Sequence, residues 1–309
     1  MNKKTCIIIA GPTAIGKTSI AIEIAKHFST KIISADSRQC YKELNIGVAK
    51  PSAEELAAVH HYFINSHSVN DNLSVADFEK YALNATTEIF TTNDIAVVVG
   101  GTGLYIKAFC EGLDEIPATE INTRNVIVAD YNNNGIEWLQ QQIKKNDPDY
   151  YVQGEMQNPQ RMMRALEVKL STGKSITLFQ SKQKKIRDFN IIKICLQLPR
   201  EDLYQRINKR VDDMMSVGLA EEVKGLIPFK HLNALQTVGY RELFDYFSAA
   251  NMPVSLERTV ELIKQNTRHY AKRQMTWFKK VEEMQFCDPS LEAVLNIVEV
   301  SSKAKKKNT

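Results

Sequence analysis

The octapeptide Gly11-Pro12-Thr13-Ala14-Ile15-Gly16-Lys17-Thr18 fits the spacing G-x4-G-K-[ST]. Its chemistry is that of a polyphosphate cradle. The glycines let backbone N–H groups turn toward one centre, Lys17 adds a full positive charge, and the Thr18 hydroxyl can ligate Mg²⁺. This selects a diphosphate or a triphosphate and leaves open which molecule carries it. The second chemical candidate is Asp36, set in Ser34-Ala35-Asp36-Ser37-Arg38-Gln39-Cys40-Tyr41. A kinase or ATPase site wants an apolar strand ending in Asp to position Mg²⁺. The apolar run 95–99 ends instead in Gly100-Gly101-Thr102. The Ser-Arg-Gln trail behind Asp36 suits a base that meets a nucleobase; a Mg²⁺ carboxylate or a helix cap is the plainer alternative.

These residues need strands and helices to hold them. Residues 5–10 form a continuous apolar run, as in a strand buried on both faces of a parallel sheet. Ser19 to Phe28 then shows helical spacing, with Ile20, Ile24 and Phe28 on one side. Residues 31–34 make a second strand that runs into Asp36. Residues 95–99 make a third, leading through Gly100-Gly101-Thr102-Gly103 into a helix. Strand, loop and helix in repetition imply an α/β fold, doubly wound, with a P-loop NTPase-like parallel sheet core. Ligands of such sheets sit at the carboxyl ends of the strands, where all of these polar loops fall. From 120 to 187 the pattern turns helical, with breakers at Asn132-Asn133-Asn134-Gly135 and Asn158-Pro159. Residues 191–198 return as a strand, and helices follow at about 201–226, 239–249 and 255–279. The expected organisation is a catalytic core of 1–119 plus 188–300, an inserted, mainly helical lobe at 120–187, and a disordered basic tail at 301–309.

Composition narrows the class. With 43% hydrophobic and 25% charged residues the chain reads as an ordinary globular protein. No apolar run reaches the ~18 residues of a membrane span, and the amino-terminal segment lacks a signal-peptide pattern. The five cysteines are dispersed without a CxxC pair, which fits a reducing cytoplasm better than disulfides or zinc. The net charge of +4 is unevenly spread: −6 over residues 1–159, +9 over 160–210 and +1 over 211–309. Such a concentration is the footprint of a polyanion site or, more plainly, a solvated helix surface.

Six blocks, in order, resemble the tRNA dimethylallyltransferase family: GPTAIGKT, ADSRQCYKELNIGVAKP, VGGTGLYIKA, NPQRMMRALEV, VGYRE and AKRQMTWFKK. They extend from Ile9 to Lys280, and nothing beyond Lys280 is similar to the zinc finger of eukaryotic members, so the resemblance is to the bacterial type. It implies transfer of a dimethylallyl group from its diphosphate to N6 of the adenosine 3′ of the anticodon, in tRNAs reading codons that begin with U. The implied partners are the tRNA anticodon stem-loop and dimethylallyl diphosphate, with Mg²⁺ as cofactor at Thr18. Gly11 to Thr18 would hold the diphosphate and Asp36 would take the N6 proton. Lys17, Thr102 and Arg210 would help neutralise the leaving group. The adenosine would be flipped out of its stack. Asp36, Ser37, Arg38, Gln39, Thr102, Arg124 and the run Gln160-Arg161-Met162-Met163-Arg164 match positions that contact tRNA. Helical spacing nevertheless places Met162 and Met163, with Leu166 and Leu170, in a helix core. The departures from the family pattern are Ile15, where Ser or Gly is commoner, Cys40, and Gln160 following Asn158-Pro159 without the frequent Asp. None removes a charged group. A monomer is expected, because each role is found within one chain. The competing readings are an adenylate isopentenyltransferase, an ATP-dependent small-molecule kinase and a non-catalytic RNA-binding module. The +9 stretch speaks against the first, the missing carboxylate after Val99 against the second, and the Lys17, Thr18 and Asp36 set against the third.

Overall fold

Strand β1 (Thr5–Ala10) is buried along its whole length and pairs in parallel with a strand on either side. Its side chains alternate between two cores. Cys6, Ile8 and Ala10 enter one, Ile7 and Ile9 the other, as a strand sandwiched between helix layers requires. Around it lie β2 (Ile32–Ser34), β3 (His61–Tyr62), β4 (Ile95–Gly100), β5 (Asn190–Leu196) and β6 (Gln285–Cys287), in the order β3-β2-β4-β1-β5-β6 with every pair parallel. The fold is therefore α/β, as the repeated strand–loop–helix pattern implied.

The structure, a computed structural model, describes residues 4–181, 183–248 and 255–307. The chain divides into two units, one of Met1–Glu111 with Ile186–Thr309 and one of Gly112–Lys185. In the first, α1 (Lys17–His27), α2 (Ala53–Ala58), α3 (Val75–Ile89) and α4 (Gly103–Glu111) link the early strands. The second is helical: α5 (Ile121–Asn146), α6 (Pro148–Gln153) and α7 (Pro159–Thr172). Its core gathers Ile127, Leu139, Ile143, Tyr150, Met162 and Leu166. The Asn-Gly breaker holds: helical geometry is interrupted inside α5 at Gly135, with φ 75°. After β5 come α8 (Arg200–Ser216), α9 (Leu219–Gly225), α10 (Tyr240–Ser248), α11 (Leu256–Phe278) and, past β6, α12 (Leu291–Lys307).

Several boundaries differ from the sequence reading. The helical unit spans 112–185 rather than 120–187. The chain turns at Gly112, φ 78°, directly after α4. Arg187 belongs to the sheet-bearing unit, since its guanidinium donates to the Ala108 and Phe109 carbonyls at the end of α4 and pairs with Glu79 at 2.7 Å. The helix expected over 201–226 is two, separated at Gly218 with φ 101°. The tail reading is corrected over 301–307, which continue α12; Ala and Lys are good helix formers, and 308 and 309 lie outside the described residues. Among the described residues no helix is long and apolar enough to cross a membrane.

Candidate active site

The loop from Gly11 to Gly16 follows the carboxyl end of β1, and α1 starts at Lys17. Gly11, Ala14 and Gly16 take φ of 147°, 63° and 97°, so the loop is wound through left-handed geometry. A Cβ on Gly11 would approach the Leu196 carbonyl to 3.0 Å, which fixes glycine there. Helix α1 has no side-chain cap and no acid in its first turn, so its leading N–H groups and positive dipole end face the loop unopposed. Ile15 is fully buried against the sheet core, which accounts for an apolar residue where small polar ones are commoner. Lys17 Nζ donates to the Pro12 carbonyl at 2.8 Å. Although the residue keeps part of its surface exposed, burial of the ammonium, and then the Arg210 charge, pull its pKa down to about 8, with Asp36 acting the other way.

Helix α8 contributes the second cation. Arg210 Nη1 lies 3.4 Å from Thr13 Oγ1, and Arg206 Nη1 lies 3.4 Å from the Ile15 carbonyl. Four residues apart, the two arginines share one helix face. Arg206 was not singled out from sequence, and its spacing from Arg210 was the available signal. Burial lowers the Arg210 pKa from its ordinary value, opposed by the charge of Asp36.

Asp36 follows β2. Its Oδ1 accepts the N–H of Arg38 at 2.9 Å and of Gln39 at 3.3 Å, a side-chain turn that holds the carboxylate in place. Beside it, Thr102 Oγ1 accepts the Ser37 N–H at 3.1 Å. The β2 and β4 ends are pressed together: a Cβ on Gly100 would sit 2.2 Å from the Ala35 carbonyl oxygen. Gln274, buried on α11, accepts the Thr13 N–H at 2.9 Å and donates to the Gly101 carbonyl at 2.9 Å. Gln39 faces inward, donating to the Val48 and Ala49 carbonyls at 3.2 and 2.9 Å.

Thr13, Asp36, Arg38 and Arg210 line one pocket, partly open to solvent. Most of its other walls are apolar, with Val48, Ile207, Val211, Met214, Val238 and Ile263 among them. The wall at Gly47 to Ala49 is pinned by Glu222, which accepts the N–H of Ile46 at 2.7 Å and of Gly47 at 3.2 Å. Tyr270 also faces the pocket, with the Arg273 guanidinium 5.8 Å from its ring centre. Burial, reinforced by the Asp36 charge, raises its phenol well above the ordinary tyrosine value, so it is neutral. The loop after β1, through Thr13, the Asp36 carboxylate and a largely apolar chamber thus meet at one end of the sheet. Such a site can hold a phosphorylated apolar group and remove a proton from its reaction partner.

The remaining sequence-derived residues lie in the helical unit. Arg124 and Arg164 pair with the buried carboxylate of Glu167 at 3.1 and 3.0 Å, and Thr119 also donates to it. Arg161 pairs with Glu155 on the surface, and Gln160 is exposed. Met162 and Met163 are buried, 0% and 5% exposed, and Leu166 with them, so the methionine side chains pack in the helix core and offer no surface to RNA. Leu170, expected in the same core, is 53% exposed, because it falls on the outer face of α7. The +9 stretch is corrected as a single footprint. Residues 112–185 hold 10 Lys+Arg and 9 Asp+Glu, a balance of only +1. Of the cations in the stretch, Arg187 and Lys193 pair with Glu79 and Glu111, while Arg206 and Arg210 serve the phosphate loop. The adjacent histidines diverge, His60 outward and His61 inward, and no described group of three or more His, Cys, Asp or Glu could hold a metal. Cys6, Cys40, Cys110 and Cys195 are buried free thiols and Cys287 is half-buried.

A family profile described as IPP transferase matches residues 39–281. A tRNA dimethylallyltransferase of Christiangramia forsetii is 49% identical over 280 residues, covering 91% of this chain and 92% of that protein. Among solved structures, the full-length tRNA isopentenylpyrophosphate transferase of Bacillus halodurans superposes with a TM-score of 0.69 at 34% identity, covering 99% of this chain and 97% of that one. A eukaryotic dimethylallyltransferase, solved acting on tRNA, gives a TM-score of 0.77 at 26% identity, covering 93% of this chain and 74% of that one.

Proposed function

The chain belongs to the IPP transferase family, and we propose that it transfers a dimethylallyl group from dimethylallyl diphosphate to N6 of the adenosine 3′ of the anticodon in tRNA. It is a tRNA-modifying prenyltransferase. The observation that carries the finer reading is the shared pocket, in which Asp36 and Arg210 stand at the polar end of an apolar chamber beside the phosphate loop. An apolar chamber that opens beside the loop at Thr13 fits the five-carbon allylic chain of a prenyl diphosphate.

The reaction follows from the chemistry of its ends. As the N6 nitrogen lone pair forms a bond to the allylic carbon, the bond from that carbon to the diphosphate oxygen breaks, and the electron pair leaves with diphosphate. Asp36 takes the N6 proton. Its turn with Arg38 and Gln39 occupies Oδ1, which leaves Oδ2 to accept. Lys17, Arg210 and the first turn of α1 neutralise the leaving group, and the apolar walls keep water from the allylic cation character. Mg²⁺ would be held by the Thr18 hydroxyl together with diphosphate oxygens and would supply further charge neutralisation. This donor set suits Mg²⁺, which keeps several waters and commonly binds through one or two protein ligands plus substrate phosphates. Gln160, Arg161 and the outward N–H groups of Arg124 and Arg164 offer donors to the anticodon stem-loop. One chain supplies every role, so a monomer in the cytoplasm suffices.

The test supplies unmodified tRNA, Mg²⁺ and radiolabelled dimethylallyl diphosphate, with AMP as a parallel acceptor. Label in tRNA and not in AMP supports the reading. Label in AMP alone makes the protein an adenylate isopentenyltransferase, and label in neither overturns the transfer reading.

A further inference from the structure

We propose that Gln274 is a positioning residue for the transfer reaction, tying the phosphate loop and the loop carrying Thr102 into one frame. The inference rests on the functional reading above. Helix α11 delivers Gln274 to a gap between the ends of β1 and β4, where it is 6% exposed. Its Oε1 accepts from Thr13, its Nε2 donates to Gly101, and the orientation of the amide is fixed, since a backbone N–H can only donate and a carbonyl can only accept. The fit is close on the β4 side. A Cβ on Gly101 would lie 2.2 Å from Gln274 Nε2, and one on Gly103 would lie 2.3 Å from Trp277 Cδ1. The glycines after β4 therefore admit α11 and its amide.

The chain of contacts is continuous. Thr13 is bound to Gln274, Gln274 to Gly101, and the next residue, Thr102, accepts from Ser37 beside Asp36. Thr13 in turn meets Arg210 through its hydroxyl. The loop at Thr13 and the Asp36 segment are thus set at a fixed separation by a buried side chain that is not among those lining the pocket. One consequence concerns the cradle itself. The Thr13 N–H is directed at Gln274, so the loop donors left for phosphate are those of the later residues and of α1.

The experiment uses the full-length enzyme with Gln274→Leu and Gln274→Glu. Leu matches the volume and leaves both backbone partners unpaired. Glu keeps an acceptor for Thr13, but when ionised it opposes the Gly101 carbonyl. With Gln274→Leu the KM for dimethylallyl diphosphate should rise roughly 10- to 100-fold, while the KM for tRNA stays within about twofold. Measured against wild type at each pH, Gln274→Glu should show the same defect near pH 8 and recover toward wild type near pH 6, because burial against the Gly101 carbonyl favours the neutral carboxyl, which both donates and accepts. Wild-type KM for the diphosphate in both variants overturns the proposal, as does a fall in kcat alone that tracks a lowered Tm. Where Gln274→Leu does not fold, the pH recovery of Gln274→Glu decides. Wild-type protein that transfers no label defeats the functional reading instead. Pyrophosphate binding by calorimetry then still separates Gln274→Glu from wild type.

Discussion

Lys17→Met removes a cation that the ligand-free protein holds unfavourably. Burial and then the neighbouring Arg210 bring the Lys17 pKa from 10.5 to about 8. At about 1.36 kcal/mol per unit this is a ceiling of ~3 kcal/mol against the charged form. The partial exposure of the residue reduces it. The lost hydrogen bond to Pro12, 2.8 Å long, takes away about 1 kcal/mol more. Lys17→Met should therefore be more stable than wild type by ~1 kcal/mol near pH 7, although it no longer binds diphosphate. The folded pKa lies below the unfolded one, so between about pH 8 and 10.5 the unfolded chain holds more protons and wild-type stability rises with pH. The stability gap to the variant should close across that window. Ligand affinity runs the other way. Only the ammonium form attracts the diphosphate, whose own ionisation is complete above about pH 7, so binding should weaken about tenfold between pH 7 and 9. Urea unfolding without ligand gives the first quantity, and calorimetry with dimethylallyl diphosphate and no tRNA gives the second. A variant less stable than wild type at pH 7, together with an affinity flat from pH 7 to 9, would show that Lys17 is not a poorly solvated cation held for the diphosphate.

Three further outcomes follow from the geometry. Asp36→Asn keeps the acceptor for Arg38 and Gln39 but not the base, so single-turnover transfer should fall by roughly 10²- to 10⁴-fold with diphosphate affinity retained; a near-normal rate removes Asp36 as the base. Gly100→Ala drives a methyl into the Ala35 backbone and should lower stability by ~3 kcal/mol in urea, whereas Gly225→Ala, with nothing within 4 Å of its added methyl, should change it little. Arg161→Ala breaks only a surface pair, so stability should stay within ~0.5 kcal/mol while the salt dependence of tRNA binding loses about one unit of slope; an unchanged slope places the RNA contact elsewhere.

The sheet core was legible because its strands carry the strongest one-dimensional signals. Residues 6–10 and 95–99 are apolar throughout, short and rich in β-branched side chains, which is how a strand buried on both faces reads. The short strands β3 and β6, with two and three residues, are too brief to show any period. The phosphate loop and Asp36 were legible because each is chemistry packed into a few consecutive residues. Gln274, Arg206, Tyr270 and Glu222 were not, because they act across the fold. Gln274 meets Thr13 over 261 positions of sequence, and nothing local marks an amide that will face two loop backbones. Charge summed along the chain misled for the same reason. Helix periodicity sends Arg164 toward a buried carboxylate, the return to the sheet sends Arg187 into the end of α4, and α8 sends Arg210 to the phosphate loop.

The charges at the site explain why the protein tolerates them. Lys17 and Arg210 both lose solvation, and each is pulled down in pKa by burial ahead of any other cause. Asp36 is the carboxylate that holds both up, so the free site carries an excess of one positive charge on these three groups. A second carboxylate would relieve the excess, but it would also repel the diphosphate whose arrival supplies the missing charge. Leaving the cations under-compensated reserves their attraction for the ligand, and for the charge that grows on its departing oxygen. Asp36 benefits from the same arrangement. It is anchored apart from the cations, since the hydrogen bonds to its Oδ1 come from Arg38 and Gln39 backbone N–H groups. The carboxylate and the two cations are thus coupled through charge but separately anchored, Asp36 by the backbone after β2 and Arg210 on α8.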